Sequence, residues 1–247
     1  MTDPVTPASI KIHTWRDMLS PQANSDLQIY LRERRVRAGE MLYRFGEEAT
    51  CGYQILSGHV EINCYTADGR EYVVGSLYPG DTLGDIGLVN GGLRFNNAVA
   101  LIDSKVSILS RSDYQSLICK HPEISRKVAE MLGYRYQSLF ALAQDAYLLP
   151  LYHRLGRTIV RLALFQNGTP PPEPIILQNC SQEKLGLMVG AARQSVGREL
   201  KRMEALGLIR INYANMVVQN FAAMASMFGS VVDYEPIMSD QFGFVTT

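Results

Sequence analysis

The sequence predicts an α+β protein with an N-terminal antiparallel β-roll, a long helix and a C-terminal winged helix-turn-helix. Three observations carry this expectation. Between residues 36 and 110, runs rich in Val, Ile, Leu and Tyr are punctuated by glycines about every ten residues. From Ser125 to Leu149 the apolar period becomes helical. Around Gly190, two short amphipathic segments are followed by a hairpin pattern.

The β-region has explicit turn chemistry. Ala67-Asp68-Gly69 and Tyr78-Pro79-Gly80-Asp81 both read as reverse turns. Gly52–Ile62 reads as two strands about a tight turn. In the long helix one stripe runs Val128, Leu132, Leu139, Leu142, Ala146, Leu149, with Arg135 as its one break. A second runs Ala129, Gly133, Tyr136, Phe140, Ala143, Tyr147. Two apolar stripes require two buried faces. One is expected to pack on the chain's own β-domain, and the other on the same helix of a second subunit. Pro150 ends the helix and marks a hinge.

Beyond it, Tyr152–Phe165 reads as an amphipathic helix, 166–174 as a proline-rich loop and Ile175-Ile176-Leu177 as a short strand. A helix over Ser181–Val189 is capped by Ser181. The turn at Gly190 leads into a second helix. On a wheel of about 100° per residue, Val196, Leu200 and Met203, with Ala192 beside them, form its core face. Arg193, Gln194, Gly197, Arg198 and Lys201 take the opposite arc, with Gly197 leaving that arc flat. Leu208–Ile211 and Met216–Val218 about Tyr213-Ala214-Asn215 read as the wing. The expected boundaries are 1–124, 125–149, 150–222 and an unassigned tail, 223–247.

Composition narrows the function. The chain has 247 residues, 47% hydrophobic and 19% charged, and no net charge. The charge is unevenly placed: residues 150–212 hold 9 Lys/Arg against 4 Asp/Glu, a local surplus of five, which suits a polyanion. No signal peptide or membrane span is legible, so a cytoplasmic protein without membrane contact is expected. Cys51, Cys64, Cys119 and Cys180 are scattered, as are the four histidines. No metal or iron–sulfur cluster is expected, and no catalytic set is visible. A β-barrel metalloenzyme would need clustered ligands, and His59 stands alone in the β-region. In a helix-turn-helix, Arg193 or Arg198 can bond guanine O6 and N7, and Gln194 adenine N6 and N7. Lys201, Lys184 and helix-start amides would hold phosphates.

The segment SQEKLGLMVGAARQSVGRELKRMEALGLIRI resembles the helix-turn-helix of the Crp/Fnr transcription regulators. AGEMLYRFGEEATCGYQILSGHVEI, PGDTLGDIGL and RFNNAVA resemble their cyclic-nucleotide-binding-like β-roll. The likeness covers roughly residues 30–220 in the family's order of parts. It implies a homodimer through residues 125–149 on palindromic double-stranded DNA, with RNA polymerase as a further partner. It places Arg193, Gln194, Ser195, Arg198 and Lys201 at the DNA. Gln194 stands where many members have Glu, and Ala192 replaces a common Ser or Thr cap. The resemblance also implies an effector pocket at Gly84, Asp85, Leu88, Arg94 and Phe95. In cyclic-AMP-binding members a Glu takes the ribose and an Arg-Ser/Thr pair holds the phosphate. Here Asp85 and Phe95 depart from that pattern. The expected effector is an unidentified small molecule other than cyclic AMP. Responsiveness to cyclic AMP and a constitutive regulator with a vestigial pocket are the alternatives.

Overall fold

A computed structural model describes residues 14–69, 71–167, 174–178, 180–212 and 215–228. They fall into two compact units, 14–136 and 137–228.

In the first unit a 3-10 turn, Arg16–Met18, leads to α1 (Pro21–Tyr30), capped by Ser20, which accepts from the Ala23 amide at 3.3 Å. The strands are β1 (Arg32–Val36), β2 (Met41–Tyr43), β3 (Cys51–Ser57), β4 (Val60–Tyr65), β5 (Glu71–Leu77), β6 (Thr82–Leu83), β7 (Asn97–Ala100) and β8 (Ser104–Ser110). The short helix α2 (Asp85–Asn90) sits between β6 and β7. The strands form two antiparallel sheets, ordered β1-β8-β3-β6 and β2-β7-β4-β5. This is the expected β-roll. Val36, Tyr53, Ile55 and Val106 from one sheet and Leu42, Val60, Ile62 and Ala98 from the other share one core. Each such aliphatic side chain contributes about 1.5–3 kcal/mol by leaving water.

The two strands expected within Gly52–Ile62 are β3 and β4. They belong to different sheets, so the turn at Gly58 carries the chain from one sheet to the other. Gly58 has φ +105°, and a Cβ there would lie 2.1 Å from Ser104 Oγ. Only glycine suits that crossing.

Helices α3 (Arg111–Lys120) and α4 (Pro122–Leu148) follow. Helix α4 starts before the expected Ser125 because Pro122 suits a first helical turn, where no amide partner is needed. Its N-terminal half buries Ile124, Val128 and Met131 against Trp15, Leu27 and Leu117. Farther along, the first expected stripe, Val128 to Leu149, departs from the structure. Leu139, Leu142 and Ala146 are exposed, and Ala141 and Asp145 are buried instead. Leu142 follows Ile124 by about five helical turns and so lies on the same face; beyond residue 136 the helix belongs to the second unit, and Ala141 and Asp145 form its buried side there. All six residues of the second stripe are at least partly exposed in the single chain.

In the second unit, the end of α4 is joined by α5 (Leu151–Asn167), β9 (Ile175–Leu177), α6 (Gln182–Val189), α7 (Arg193–Ala205), β10 (Ile209–Ile211), β11 (Met216–Val218) and α8 (Phe221–Phe228). Strands order β10-β11-β9, all antiparallel. The strand at 175–177 and the wing strands thus stand as expected, while Tyr213-Ala214 of the wing turn and 168–173 of the proline-rich loop lie outside the described residues. The boundary expected at 222 falls inside α8, which buries Met224 and Phe228 in the same core as Leu155, Ile159, Leu185 and Leu200. Residues 229–247 of the expected tail lie outside the described residues. The α8 segment gave no clear period because its apolar residues run nearly all round a short helix.

The Phe228 ring packs on Gly156. A Cβ at Gly156 would sit 2.3 Å from Phe228 Cγ. Gly156→Ala is therefore expected to cost about 1–3 kcal/mol through overpacking. Urea unfolding of the two proteins measures this, and an unchanged midpoint would remove Phe228 from that position.

Candidate nucleic-acid interface and sensor site

Helix α6 is capped by Ser181, whose hydroxyl accepts from the Lys184 amide at 3.1 Å. It ends at Gly190 in the left-handed region, φ +65°. The Ala191 amide returns to the Gly186 carbonyl at 3.0 Å, and a Cβ at Gly186 would lie 2.6 Å from the Ala191 oxygen. The turn is thus drawn tightly over α6. Ala192 is the N-cap of α7 and supplies no side-chain bond. The far end of α7 is closed by a Schellman motif: Gly207 N–H donates to Glu204 O at 2.9 Å and Leu208 N–H to Met203 O at 3.1 Å. Glu204 Oε1 accepts from the Ile211 amide at 2.9 Å, tying helix to wing.

Val196, Leu200 and Met203 are fully buried, as the helical period requires. Arg193, Gln194, Arg198 and Lys201 are exposed and Ser195 is half-buried. Two wheel assignments need correction. Ala192 is exposed because it precedes the helix, so the helical angle does not apply to it. Gly197 is buried: a Cβ there would meet Gln182 Oε1 at 2.8 Å. Its lack of a side chain admits the neighbouring helix and does not flatten the outer face. Among the described residues, none forms an ion pair or hydrogen bond with the side chains of Arg193, Gln194, Arg198 or Lys201. Glu199 approaches Arg202 at 3.9 Å, leaving Arg198 to solvent. Arg202 also lies over the Tyr152 ring at 4.2 Å, which anchors α7 on α5. Sequence reading missed that anchor because it pairs residues far apart in the chain.

The residues expected to form an effector pocket lie in the first unit. Gly84, at φ +76°, caps α2, and a Cβ there would lie 2.7 Å from Arg94 Nη1. Arg94 is buried and donates to the Cys51 carbonyl and, at 3.3 Å, to the Gly84 carbonyl. Its guanidinium lies 4.3 Å from the Tyr43 ring centre and 5.9 Å from that of Tyr53. Burial pushes both phenols above their ordinary range. Arg94 Nε is buried with no partner among the described residues.

Asp85 serves a different contact. Trp15 Nε1 donates to its Oδ1 at 2.9 Å and Arg135 Nη1 to its Oδ2 at 3.0 Å. Arg135 Nη2 also donates to the Thr82 carbonyl at 2.7 Å. Leu88 packs into the core with Trp15 and Leu109, and Phe95 is 58% exposed. Of the five sensor residues, Gly84 and Arg94 touch. Asp85 faces Trp15 and Arg135, Leu88 faces the core, and Phe95 faces solvent. Trp15, Tyr43 and Tyr53 carried no sequence signal. Arg135 did, as the one charge interrupting an apolar stripe.

No group of three or more possible metal ligands occurs among the described residues, and no helix among them is long and apolar enough to cross a membrane. The described cysteines are free thiols.

The comparisons agree with this geometry. Residues 33–121 match the model of the cyclic nucleotide-binding domain, and residues 153–227 that of the Crp-like helix-turn-helix domain. The cAMP-activated global transcriptional regulator CRP of Pasteurella multocida is 29% identical over 72% of this chain and 85% of that protein. The cAMP-activated regulator Vfr of Pseudomonas aeruginosa is 27% identical over 78% and 91%. Among solved structures, the c-di-GMP-responsive regulator CLP of Xanthomonas campestris superposes with TM-score 0.69 at 22% identity, over 81% of this chain and all of that one. FixK2 of Bradyrhizobium japonicum gives 0.69 at 20%, over 79% and 96%. A cyclic-nucleotide-binding-type β-roll and a winged helix-turn-helix on one chain define a two-domain regulator architecture. The chain belongs to the Crp/Fnr family of transcription regulators.

Burial pushes the Cys180 thiol up to about 12. A thiol reagent at mildly alkaline pH is expected to modify exposed Cys119 first and Cys180 only after unfolding. Equal rates, followed by mass spectrometry of the native protein, would contradict the burial of Cys180.

Proposed function

We propose that this protein is a homodimeric, sequence-specific DNA-binding regulator of transcription that works in the cytoplasm. The observation that carries the reading is the outer face of α7. Arg193, Gln194, Arg198 and Lys201 project without partners among the described residues from a helix whose opposite side is fully buried. A helix fixed on one side with free donors on the other is built for the major groove. Ser195 borders that face. The exposed stripe of α4, with Tyr136, Phe140 and Tyr147, supports pairing of two subunits through residues 125–149. RNA polymerase is the further partner that the family suggests, and the role is regulatory, not enzymatic.

Cyclic AMP is a poor fit as effector. Asp85 is buried, and its two oxygens accept from Trp15 and Arg135, so it is turned into the fold and away from a ribose. Phe95 brings no hydroxyl to a phosphate. Arg94 is the cation left for a different anionic effector at this site. A second reading is favoured by the same contacts. Arg94 already donates to two carbonyls and Asp85 accepts from Trp15 and Arg135, so the protein itself holds both groups in place and the regulator is constitutive.

Selection from random duplex DNA tests the main reading. The purified protein is expected to enrich a palindrome with half-sites about 34 Å apart. Arg193→Ala should weaken binding to that duplex by about 1–3 kcal/mol and relax one base position. Unchanged affinity and preference would remove Arg193 from the reading face. Gln194→Glu should move the preference at its position toward cytosine. Calorimetry with cyclic AMP is expected to show no heat of binding, and a saturable signal would restore the cyclic-AMP reading.

A further inference from the structure

The last turns of α4 carry a carboxylate that is almost out of water. Asp145 is 4% exposed. Its two oxygens are taken by two guanidinium groups of α5, Arg157 Nη1 at 2.5 Å and Arg161 Nη2 at 2.5 Å. The arginines are four residues apart and so lie on one face of α5. Arg157 makes a further bond through its Nε, which donates at 2.8 Å to the carbonyl of Phe228, the last residue of α8. One guanidinium thus joins the ends of α4 and α8 to the body of α5.

The joint at Pro150 lies inside this arrangement. Leu149 N–H donates to Asp145 O at 3.0 Å, and His153 and Arg154 N–H donate to Pro150 O at 3.0 and 3.1 Å. Arg154 Nη1 adds a bond to the Ala146 carbonyl at 3.3 Å. The proline breaks the helix, yet side chains bridge the break from both directions. Helix α5 is also the spine of the winged domain: Leu155, Ile159, Val160 and Ala163 are buried in the core shared with α7. Whatever fixes α5 fixes the recognition helix.

We propose that Asp145 is a positioning residue. It locks the last turns of α4, α5 and α8 into one piece, so the DNA-reading helix has no swivel at Pro150. Its expected consequence for DNA rests on the DNA-binding reading above. A buried carboxylate between two cations resists the loss of either partner, because the removal leaves charge uncompensated away from water.

The test uses the full-length protein with Asp145→Asn and, as a second variant that keeps one of the two ion pairs, Arg161→Gln. Hydrogen exchange, size-exclusion mass and affinity for the selected duplex are measured together. Amides from 149 to 157 are expected to exchange roughly tenfold faster in Asp145→Asn, with α7 keeping its protection. DNA affinity is expected to fall by about tenfold with the mass unchanged. Arg161→Gln should shift both readings in the same direction by less. Unchanged exchange at 149–157 in both variants overturns the proposal. So does equal loss of protection at α7, which would make Asp145 a general stabiliser. If Asp145→Asn fails to fold, Arg161→Gln decides between these outcomes. If the wild-type protein enriches no duplex, the DNA-binding reading fails, and the exchange data still decide the lock.

Discussion

Charge buried without compensation is the constraint on which this structure turns, and α4 meets it twice. Near its middle, Arg135 binds the carboxylate of Asp85. Toward its end, Asp145 binds Arg157 and Arg161. Both carboxylates are nearly sealed from water, 2% and 4% exposed. Moving one such ion out of water costs several kcal/mol unless its partners are well placed. Each site therefore tolerates little displacement of the helix that carries its counter-charge. The same helix is apolar along its exposed stripe. Arg135 lies in the first unit and Asp145 in the second, so the one helix meets the constraint with a cation in one and an anion in the other.

The residues expected to form an effector pocket make contacts of two kinds. Asp85 begins α2, one methylene shorter than the Glu of the cyclic-AMP pattern. It accepts from an indole and a guanidinium. Arg94 is held separately, its charge facing two backbone carbonyls and the Tyr43 ring. Carbonyl dipoles and ring faces stabilise a cation less than a carboxylate does, so Arg94 and Asp85 are compensated by different means. The two groups thus stand in different chemical states: one is neutralised by ion pairing, and the other is only solvated by the protein.

Much of the fold was legible in the sequence because local rules agree with one another. Glycine turns bounded the strands of the β-roll, Ser181 and Gly190 bounded α6, and Val196, Leu200 and Met203 identified the inner face of α7. What escaped lay in contacts between distant residues. Trp15 reaches Asp85 across 70 positions, and Arg157 reaches the Phe228 carbonyl across 71. No periodicity encodes such pairs. Gly197 shows a subtler limit. A wheel gives direction but no distance, so it did not reveal Gln182 against that glycine. Helix α8 escaped because eight mostly apolar residues have no polar side to orient them.

The outer face of α7 gains its character from what surrounds it. Its N-terminus has no capping side chain, so the first amides retain donors that a phosphate oxygen can meet. Its C-terminus is closed by the Schellman turn and bound to the wing through Glu204. Arg202, next to Lys201 in sequence, turns away to stack on Tyr152. The basic residues of this helix thus divide by role. One secures it to α5, and Arg193, Arg198 and Lys201 face outward with no acid among the described residues to satisfy them. A helix rigid at one end and electrically unfinished at the other can enter a groove without reorganising itself, and preorganisation of this kind lowers the entropic cost of binding.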